Sequence, residues 1–219
     1  MSYNGEVVLS RVGFLGPGDV ETLMRATEML LFQFKADRVL YLGTDHALSD
    51  AIEQWAKSLV GEDPSEEGLF LRAMDVLQAG HASRLESFLR RERTRARLRV
   101  AHSLPPGGAR VKETIGGCTM LCVADRDHLD QVDLQSAAYF IFGLSEVATV
   151  KQSGTRWFLS PGPCQGDSAL IVEGPLVQGQ PVQGQQECTA LIIEGGRPAS
   201  RYEIGPSRVP DDDDSKGAT

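Results

Sequence analysis

Near residue 100 the apolar pattern of the sequence changes from helical spacing to strand-type runs, and this change limits the folds that the chain can adopt. Residues 47–99 carry apolar side chains at helical spacing in three stretches, with Gly80 and His81 between the second and the third. Short apolar runs of strand type follow beyond residue 100, and a helical run over residues 127–138 interrupts them. Helices and strands that succeed one another without a linker predict an α/β fold in which central strands are covered by helices.

The first part of the chain predicts a parallel strand–helix–strand unit. Residues 6–10 form an apolar run of strand type, and a loop around residues 11–18 separates them from a helix that Asp19 caps. A second buried strand is expected over residues 38–43. Because functional groups gather beyond the carboxyl ends of parallel strands, the loops around 11–18 and 44–47 are the expected place for a site.

Composition indicates one globular unit. The chain has 219 residues, of which 41% are hydrophobic, and this is enough apolar material for one substantial core. We expect a single domain over residues 1–209, with the helical segment 47–99 on one side, and a disordered acidic tail over residues 210–219. Residues 174–187, which contain VQGQ twice, are expected to form a polar hairpin loop or insertion.

Charge and hydropathy exclude several classes of partner. The net charge of −8 argues against broad binding of nucleic acids or anionic membranes. The sequence contains no apolar run long enough to cross a bilayer and no leader segment, so we expect a cytoplasmic protein without membrane insertion. The four cysteines are expected to be reduced core thiols, because Cys118 and Cys122 lie on one face of an apolar strand and lack two further ligands for zinc.

Four short phrases occur in a distinctive order along the chain. They are SRVG (10–13), YLGTDH (41–46), FGLSE (142–146) and LSPGP (159–163). Their order and spacing resemble the calcineurin-like metallophosphoesterases, especially the small bacterial phosphodiesterases and the phosphoesterase-fold subunit of retromer. The resemblance implies an α/β/β/α sandwich of mixed sheets flanked by helices.

The resemblance also implies that the metal ligands of this family are replaced. In the family the first three phrases carry Asp-x-His, Gly-Asp and Gly-His-x-His, and the last reads Asn-Pro-Gly-Ser. A bridging carboxylate, histidines and an amide hold two metal ions that clamp a phosphate and activate a water. Only the backbone-shaping residues Gly43, Gly143, Pro161 and Gly162 remain here. The ligand positions are occupied instead by Arg11, Gly13, Thr44, Leu144 and Glu146.

From these replacements we expect a catalytically inactive scaffold rather than an enzyme. It would need no cofactor and would bind another protein as a binding module or assembly subunit, with a homo-oligomer as a further possibility. By strand alternation, about half of the apolar candidates are expected to be core residues. The partner-binding candidates are Leu144, Val147, Val150, Trp157, Leu159, Arg90 and Arg91, the last two from the arginine-rich helix 84–99.

Two alternatives use the same cleft. The first is a divergent metal-dependent phosphoesterase with the ligands Asp45, His46, Asp125, Asp127 and His128. Against it, Asp127 is a natural helix N-cap, and Asp45 or His46 can begin the next helix.

The second alternative is an anion or nucleotide sensor in which Arg11 binds the anion at the carboxyl end of the first strand. The competing interpretation is a surface arginine paired with a local acid. For the arginines of residues 84–99, a solvated helix face with internal ion pairs competes in the same way with an acidic-partner surface.

Overall fold

The computed structural model describes residues 9–107, 109–175 and 187–205. The helices are α1 (Val20–Glu28), continued by a π-helical segment (Met29–Gln33), α2 (Ala47–Val60), α3 (Glu66–Ala79), α4 (Ala82–Arg97) and α5 (Gln131–Ser136). The strands are β1 (Leu9–Leu15), β2 (Arg38–Tyr41), β3 (Ala101–Ser103), β4 (Val111–Ile115), β5 (Cys118–Val123), β6 (Tyr139–Phe142), β7 (Thr149–Ser153), β8 (Arg156–Ser160), β9 (Ala169–Pro175), β10 (Cys188–Glu194) and β11 (Arg197–Ile204).

The strands form two mixed sheets. The first sheet has the order β11-β10-β9-β1-β2-β3, and the second has the order β4-β5-β6-β8-β7. Strands β1, β2 and β3 are parallel in the first sheet, and β5, β6 and β8 are parallel in the second. The expected α/β class with two mixed sheets and flanking helices is confirmed.

The sheets pack face to face and are covered by helices. Side chains such as Phe14, Met120 and Ile141 fill the core between the sheets. The other face of the first sheet packs against helices α1 and α2 through residues that include Leu23 and Tyr41. Helix α5 lies beside the outer face of the second sheet, so the layers form an α/β/β/α sandwich.

Local chemistry explains where the helices begin and end. The Asp19 side chain accepts a hydrogen bond from the Thr22 backbone N–H at 2.9 Å, as expected of an N-cap. Ser65 caps α3 in the same way through the Gly68 N–H, at 3.0 Å. Helix α3 ends at Gly80, which has a φ of 67°, a left-handed conformation that glycine adopts without a Cβ penalty. The predicted break at Gly80 is therefore confirmed.

The predicted end of the first strand is wrong. Strand β1 runs to Leu15, so Arg11 and Gly13 lie inside the strand and not in the loop at its carboxyl end. A Cβ at position 13 would lie 2.7 Å from Cδ1 of Leu30, which packs over the strand, so a larger residue there would require the Leu30 side chain to shift. The loop that leads into α1 begins at Gly16.

The predicted helix cap at Asp127 is also wrong. Asp125 caps a short 3-10 turn by accepting the Asp127 N–H at 3.0 Å. Asp130 is the N-cap of α5, where its side chain and that of Asp133 each accept a hydrogen bond from the other's backbone N–H. This reciprocal capping box satisfies two backbone donors at once and fixes the helix start three residues later than expected.

Further expectations concern the cysteines, membrane-spanning helices, and the predicted loop, tail and domain boundary. All four cysteines are buried and none forms a disulfide bond, as expected. Within the described ranges, no helix combines the length and apolar character that crossing a membrane requires. The predicted tail at 210–219 and residues 176–186 of the predicted polar loop lie outside the described residues, and the single-domain boundary at 209 stays a prediction.

Candidate functional site

The carboxyl ends of the parallel strands meet at one rim of the sandwich. Residues Gly16, Gly143 and Gly162 follow β1, β6 and β8, and the backbones of these three turns approach one another there. A Cβ built on Gly16 would overlap the carbonyl oxygen of Gly162, and one on Gly143 would overlap the carbonyl oxygen of Leu42. The turns are thus packed backbone against backbone, and this part of the rim leaves no room for converging side chains.

Beside these turns a cavity of about 360 Å³ opens at the ends of β2, β3 and β5. Its polar lining comes from the loop after β2, from β3 and from the start of α2. The groups that line it include Thr44, Asp45, His46, Ser49, His102 and Ser103.

The Asp45 carboxylate accepts hydrogen bonds from neighbouring residues of the chain. Its Oδ1 accepts a hydrogen bond from the Tyr41 hydroxyl at 2.7 Å and another from the Ala47 backbone N–H at 3.2 Å. Burial and the hydrogen bond to the Asp45 carboxylate both raise the pKa of Tyr41. Asp45 therefore positions the start of α2, as the capping interpretation expects.

Ser103 supplies an unsatisfied polar atom to the same cavity. Its buried Oγ has no hydrogen-bond partner among the described residues. With exposed His46 and His102 nearby, the cavity offers donors and acceptors for a small polar molecule.

The structure does not bring together the five residues of the metal-site hypothesis. Asp45 and His46 line the cavity beside β2, whereas Asp127 lines a separate pocket with Arg126 and Phe158. Across residues 9–107, 109–175 and 187–205 there is no group of three or more His, Cys, Asp or Glu side chains placed to hold a metal ion. The proposed ligand set, completed by Asp125 and His128, is thus distributed over two places.

Arg11 lies far from the position expected of an anion ligand at the rim. Its Nε donates to Glu173 Oε2 at 2.9 Å, and its Nη1 donates to the Phe34 carbonyl oxygen at 3.2 Å. Glu173 faces Arg11 across the antiparallel β1–β9 pair. Arg11 is thus paired with a local acid, as the competing interpretation expects, and its predicted position at the carboxyl end of the strand is wrong.

The strand candidates for partner binding separate into exposed and core residues. Leu144 and Val147 lie exposed in the loop between β6 and β7. Val150 and Trp157 are partly buried against the inter-sheet core, and the Trp157 Nε1–H donates to the Gly205 carbonyl at 2.8 Å. Leu159 is completely buried between the sheets, so its assignment to a partner surface is wrong.

Helix α3 presents an apolar surface that sequence reasoning missed. Phe70, Leu71 and Leu77 are 68%, 65% and 63% exposed, and Met74 lies between them at helical spacing. We call Phe70, Leu71, Met74 and Leu77 the α3 stripe. The signal is present in GLFLRAMDVL, which has more apolar residues than one helix face can bury.

The arginines of α4 have two different environments. On the inner face, Arg95 Nε lies 2.6 Å from Glu92 Oε2, and Arg72 of α3 lies 2.8 Å from Glu92 Oε1. On the outer face, the exposed side chains of Arg90, Arg91 and Arg93 form no ion pair within the described part of the chain. Internal ion pairs therefore account for only part of the arginine content of this helix.

Comparisons with known proteins return similar folds only. No family model matches the chain, and no curated protein matches it. Among solved structures, a predicted phosphoesterase from Streptococcus pneumoniae is 12% identical, with a TM-score of 0.45 over 91% of this chain and 99% of the other. Vacuolar Protein Sorting 29 from Cryptosporidium parvum is 12% identical, with a TM-score of 0.46 over 91% of this chain and 100% of the other.

A novel archaeal phosphodiesterase is also 12% identical, with a TM-score of 0.43 over 89% of this chain and 99% of the other. At such identities the likeness concerns the arrangement of the chain and not its activity.

Proposed function

We propose that this chain is a catalytically inactive protein of phosphoesterase-like architecture that binds another protein as a scaffold or assembly subunit. The observation that carries the proposal is the α3 stripe. Four large apolar side chains on one helix are exposed together, and such a surface marks an interaction site more often than isolated apolar residues do.

The residue types at the strand ends support the inactive part of the proposal. Where a phosphoesterase needs carboxylates and histidines, this chain has Thr44 after β2, Ala124 after β5 and Leu144 after β6. A threonine hydroxyl, a methyl group and an isobutyl group cannot replace the anionic and imidazole ligands of a two-metal site. The turns at Gly16 and Gly162 also pack too closely to admit ligand side chains.

Position within the fold supports a partner surface on α3. The helix packs against α4 through the Arg72–Glu92 pair and has no buried apolar side chain of its own among those described. Its stability therefore depends on its neighbour and on what covers its outer face. A partner protein that buried the stripe would remove its apolar side chains from water and stabilise the helix.

Charged substitutions in the stripe test the proposal. In the double variant Leu71→Glu and Leu77→Glu, partner capture should be lost while the free energy of unfolding stays within about 0.5 kcal/mol of the parent, because both side chains are exposed. The measurement is affinity capture from the host lysate with quantitative mass spectrometry, together with urea unfolding.

Val132→Glu is the matched control, since Val132 is an exposed apolar residue on the distant helix α5. One protein lost with the double variant and kept with the control supports the proposal. Identical capture by all three proteins would contradict it. Sedimentation equilibrium distinguishes a second copy of the chain from a different protein.

A further inference from the structure

A second surface lies on the opposite side of α4 from its buried ion pairs. Side chains of α4 and of the π-helical segment border a groove of about 1050 Å³. We call it the basic groove. Its principal lining residues are Leu31, Phe32, Lys35, Leu85, Leu89, Arg90, Arg93 and Arg97.

The floor of the basic groove is apolar, and some of its side chains are held in place by packing against the rest of the protein. Leu85 and Leu89 lie one helical turn apart on α4 and are 38% and 42% exposed. Leu31 is buried in the core beneath, and Phe32 packs edge-on against Trp55 of α2 with ring centroids 6.0 Å apart. The floor therefore offers preformed apolar contact to a large side chain.

The rim of the groove is cationic, because its basic side chains outnumber its acidic ones. Lys35, Arg90 and Arg93 take part in no ion pair in the described ranges, and Arg97 donates to the Ala36 carbonyl oxygen at 2.5 Å. Glu86 is the one acidic side chain in the lining. In a chain with a net charge of −8, a local cluster of four cations is a strong departure from the average surface.

Backbone geometry at the rim is also unusual. The Phe34 N–H donates to the Met29 carbonyl oxygen at 3.1 Å, which is the wide hydrogen bond of a π-helix. Lys35 has a φ of 57°, a left-handed conformation that non-glycine residues adopt at some energetic cost. Both features concentrate at functional sites in proteins, and here they place Phe32 and Lys35 in the groove lining.

We propose that the basic groove binds an acidic peptide segment of a partner protein, with a large apolar side chain on Leu85 and Leu89 and carboxylates facing Arg90 and Arg93. The argument is charge complementarity over an apolar floor. Planar guanidinium groups pair with carboxylates through two hydrogen bonds, and the floor favours an amphipathic peptide over a nucleic acid. This inference deepens the proposed scaffold function, on which it rests, by naming the chemistry of a partner.

Fluorescence anisotropy with two synthetic peptides tests the assignment on the full chain. One labelled peptide is amphipathic with glutamates and leucines, and the other has lysine at each glutamate position. We expect the acidic peptide to bind at least about tenfold more tightly, although the overall charge of the protein favours the basic one. Raising the ionic strength from about 0.05 M to about 0.5 M should weaken the binding.

Substitutions of arginines on α4 test whether the peptide binds in the basic groove. The double substitution Arg90→Glu and Arg93→Glu should weaken binding at least about tenfold, because it reverses two charges on the rim. Arg91→Glu is the matched control, since Arg91 is exposed on the same helix but does not line the groove. Circular dichroism and urea unfolding verify that all variants remain folded.

Other results would overturn the inference. These are equal binding of both peptides, an equal loss with Arg91→Glu, or tighter binding of a single-stranded oligonucleotide than of the acidic peptide. A dimer that dissociates on the Arg90→Glu and Arg93→Glu change would assign the groove to a second copy of this chain instead. Failure here leaves the α3 stripe untouched, whereas failure of the scaffold proposal would show in the stripe variants.

Discussion

Replacing Gly16 by alanine is expected to destabilise the protein by about 3 kcal/mol. The added Cβ would overlap the carbonyl oxygen of Gly162, which is a backbone atom and cannot rotate away. The turns after β1 and β8 would have to separate, and the contact of Gly143 with Leu42 lies in the same cluster. Urea unfolding should show a midpoint lower by about 1 M or more.

Gly154→Ala is the control for this substitution. Gly154 lies in the turn between β7 and β8 with a φ of 61°, and no atom lies near a Cβ added there. Only the left-handed conformation is penalised, at about 1 kcal/mol. Equal losses for the two variants would show that the rim turns are not packed as tightly as described.

Replacing Glu92 by glutamine is expected to destabilise the α3–α4 pair by about 3 kcal/mol. Glu92 is buried between Arg72 and Arg95, and Arg95 in turn donates to the Pro64 carbonyl at 2.8 Å. The substitution keeps the shape of the side chain but leaves two partly or fully buried guanidinium groups without their shared counter-charge. Urea unfolding and hydrogen exchange over residues 66–97 measure the loss.

The same carboxylate predicts a dependence on pH. Burial by itself raises the pKa of Glu92, but the hydrogen bonds from Arg72 and Arg95 outweigh it and hold the pKa below the ordinary value of 4.5. A lowered pKa in the folded state stabilises the protein above pH 4.5, and the contribution is lost as the pH falls through the folded pKa. The difference between wild type and Glu92→Gln should therefore shrink below pH 4.5.

Glu53→Gln serves as the control for Glu92→Gln. Glu53 pairs with Lys57 one turn along α2, and both side chains are largely exposed to water. Such a surface pair contributes little to stability, because water screens the two charges. A loss at Glu92 no larger than that at Glu53 would mean that the buried network does not connect α3 to α4.

Periodicity predicted most of the helices and strands, and it did not predict features that depend on distant packing. The three helices of residues 47–99 follow from their apolar spacing and from Gly80. Strand β1 was predicted too short because Gly13 resembles a loop residue, although it lies inside the strand and beneath the Leu30 side chain. The π-helical segment had no local signal in the sequence, and its wide hydrogen bond from the Phe34 N–H to the Met29 carbonyl oxygen is visible only in the structure.

The sequence predicted the glycines that shape the turns of the candidate site, but it did not predict which distant residues pack against those turns. Gly143 and Gly162 were identified as residues that shape the backbone, and both lie in the packed turns at the rim. Their partner Gly16 was not identified, because contact between distant turns is visible only in three dimensions. Leu159 was misassigned for the same reason, since either face of a strand can be the buried one until the partner sheet is known.

Metal content is the most direct test of the central claim that this phosphoesterase-like fold has no catalytic metal site. The purified protein is incubated with manganese and zinc, passed through gel filtration and submitted to elemental analysis, with a metal-dependent phosphodiesterase as positive control. We predict metal far below one ion per chain. Near-stoichiometric metal, together with phosphodiester hydrolysis that a chelator abolishes, would contradict the account.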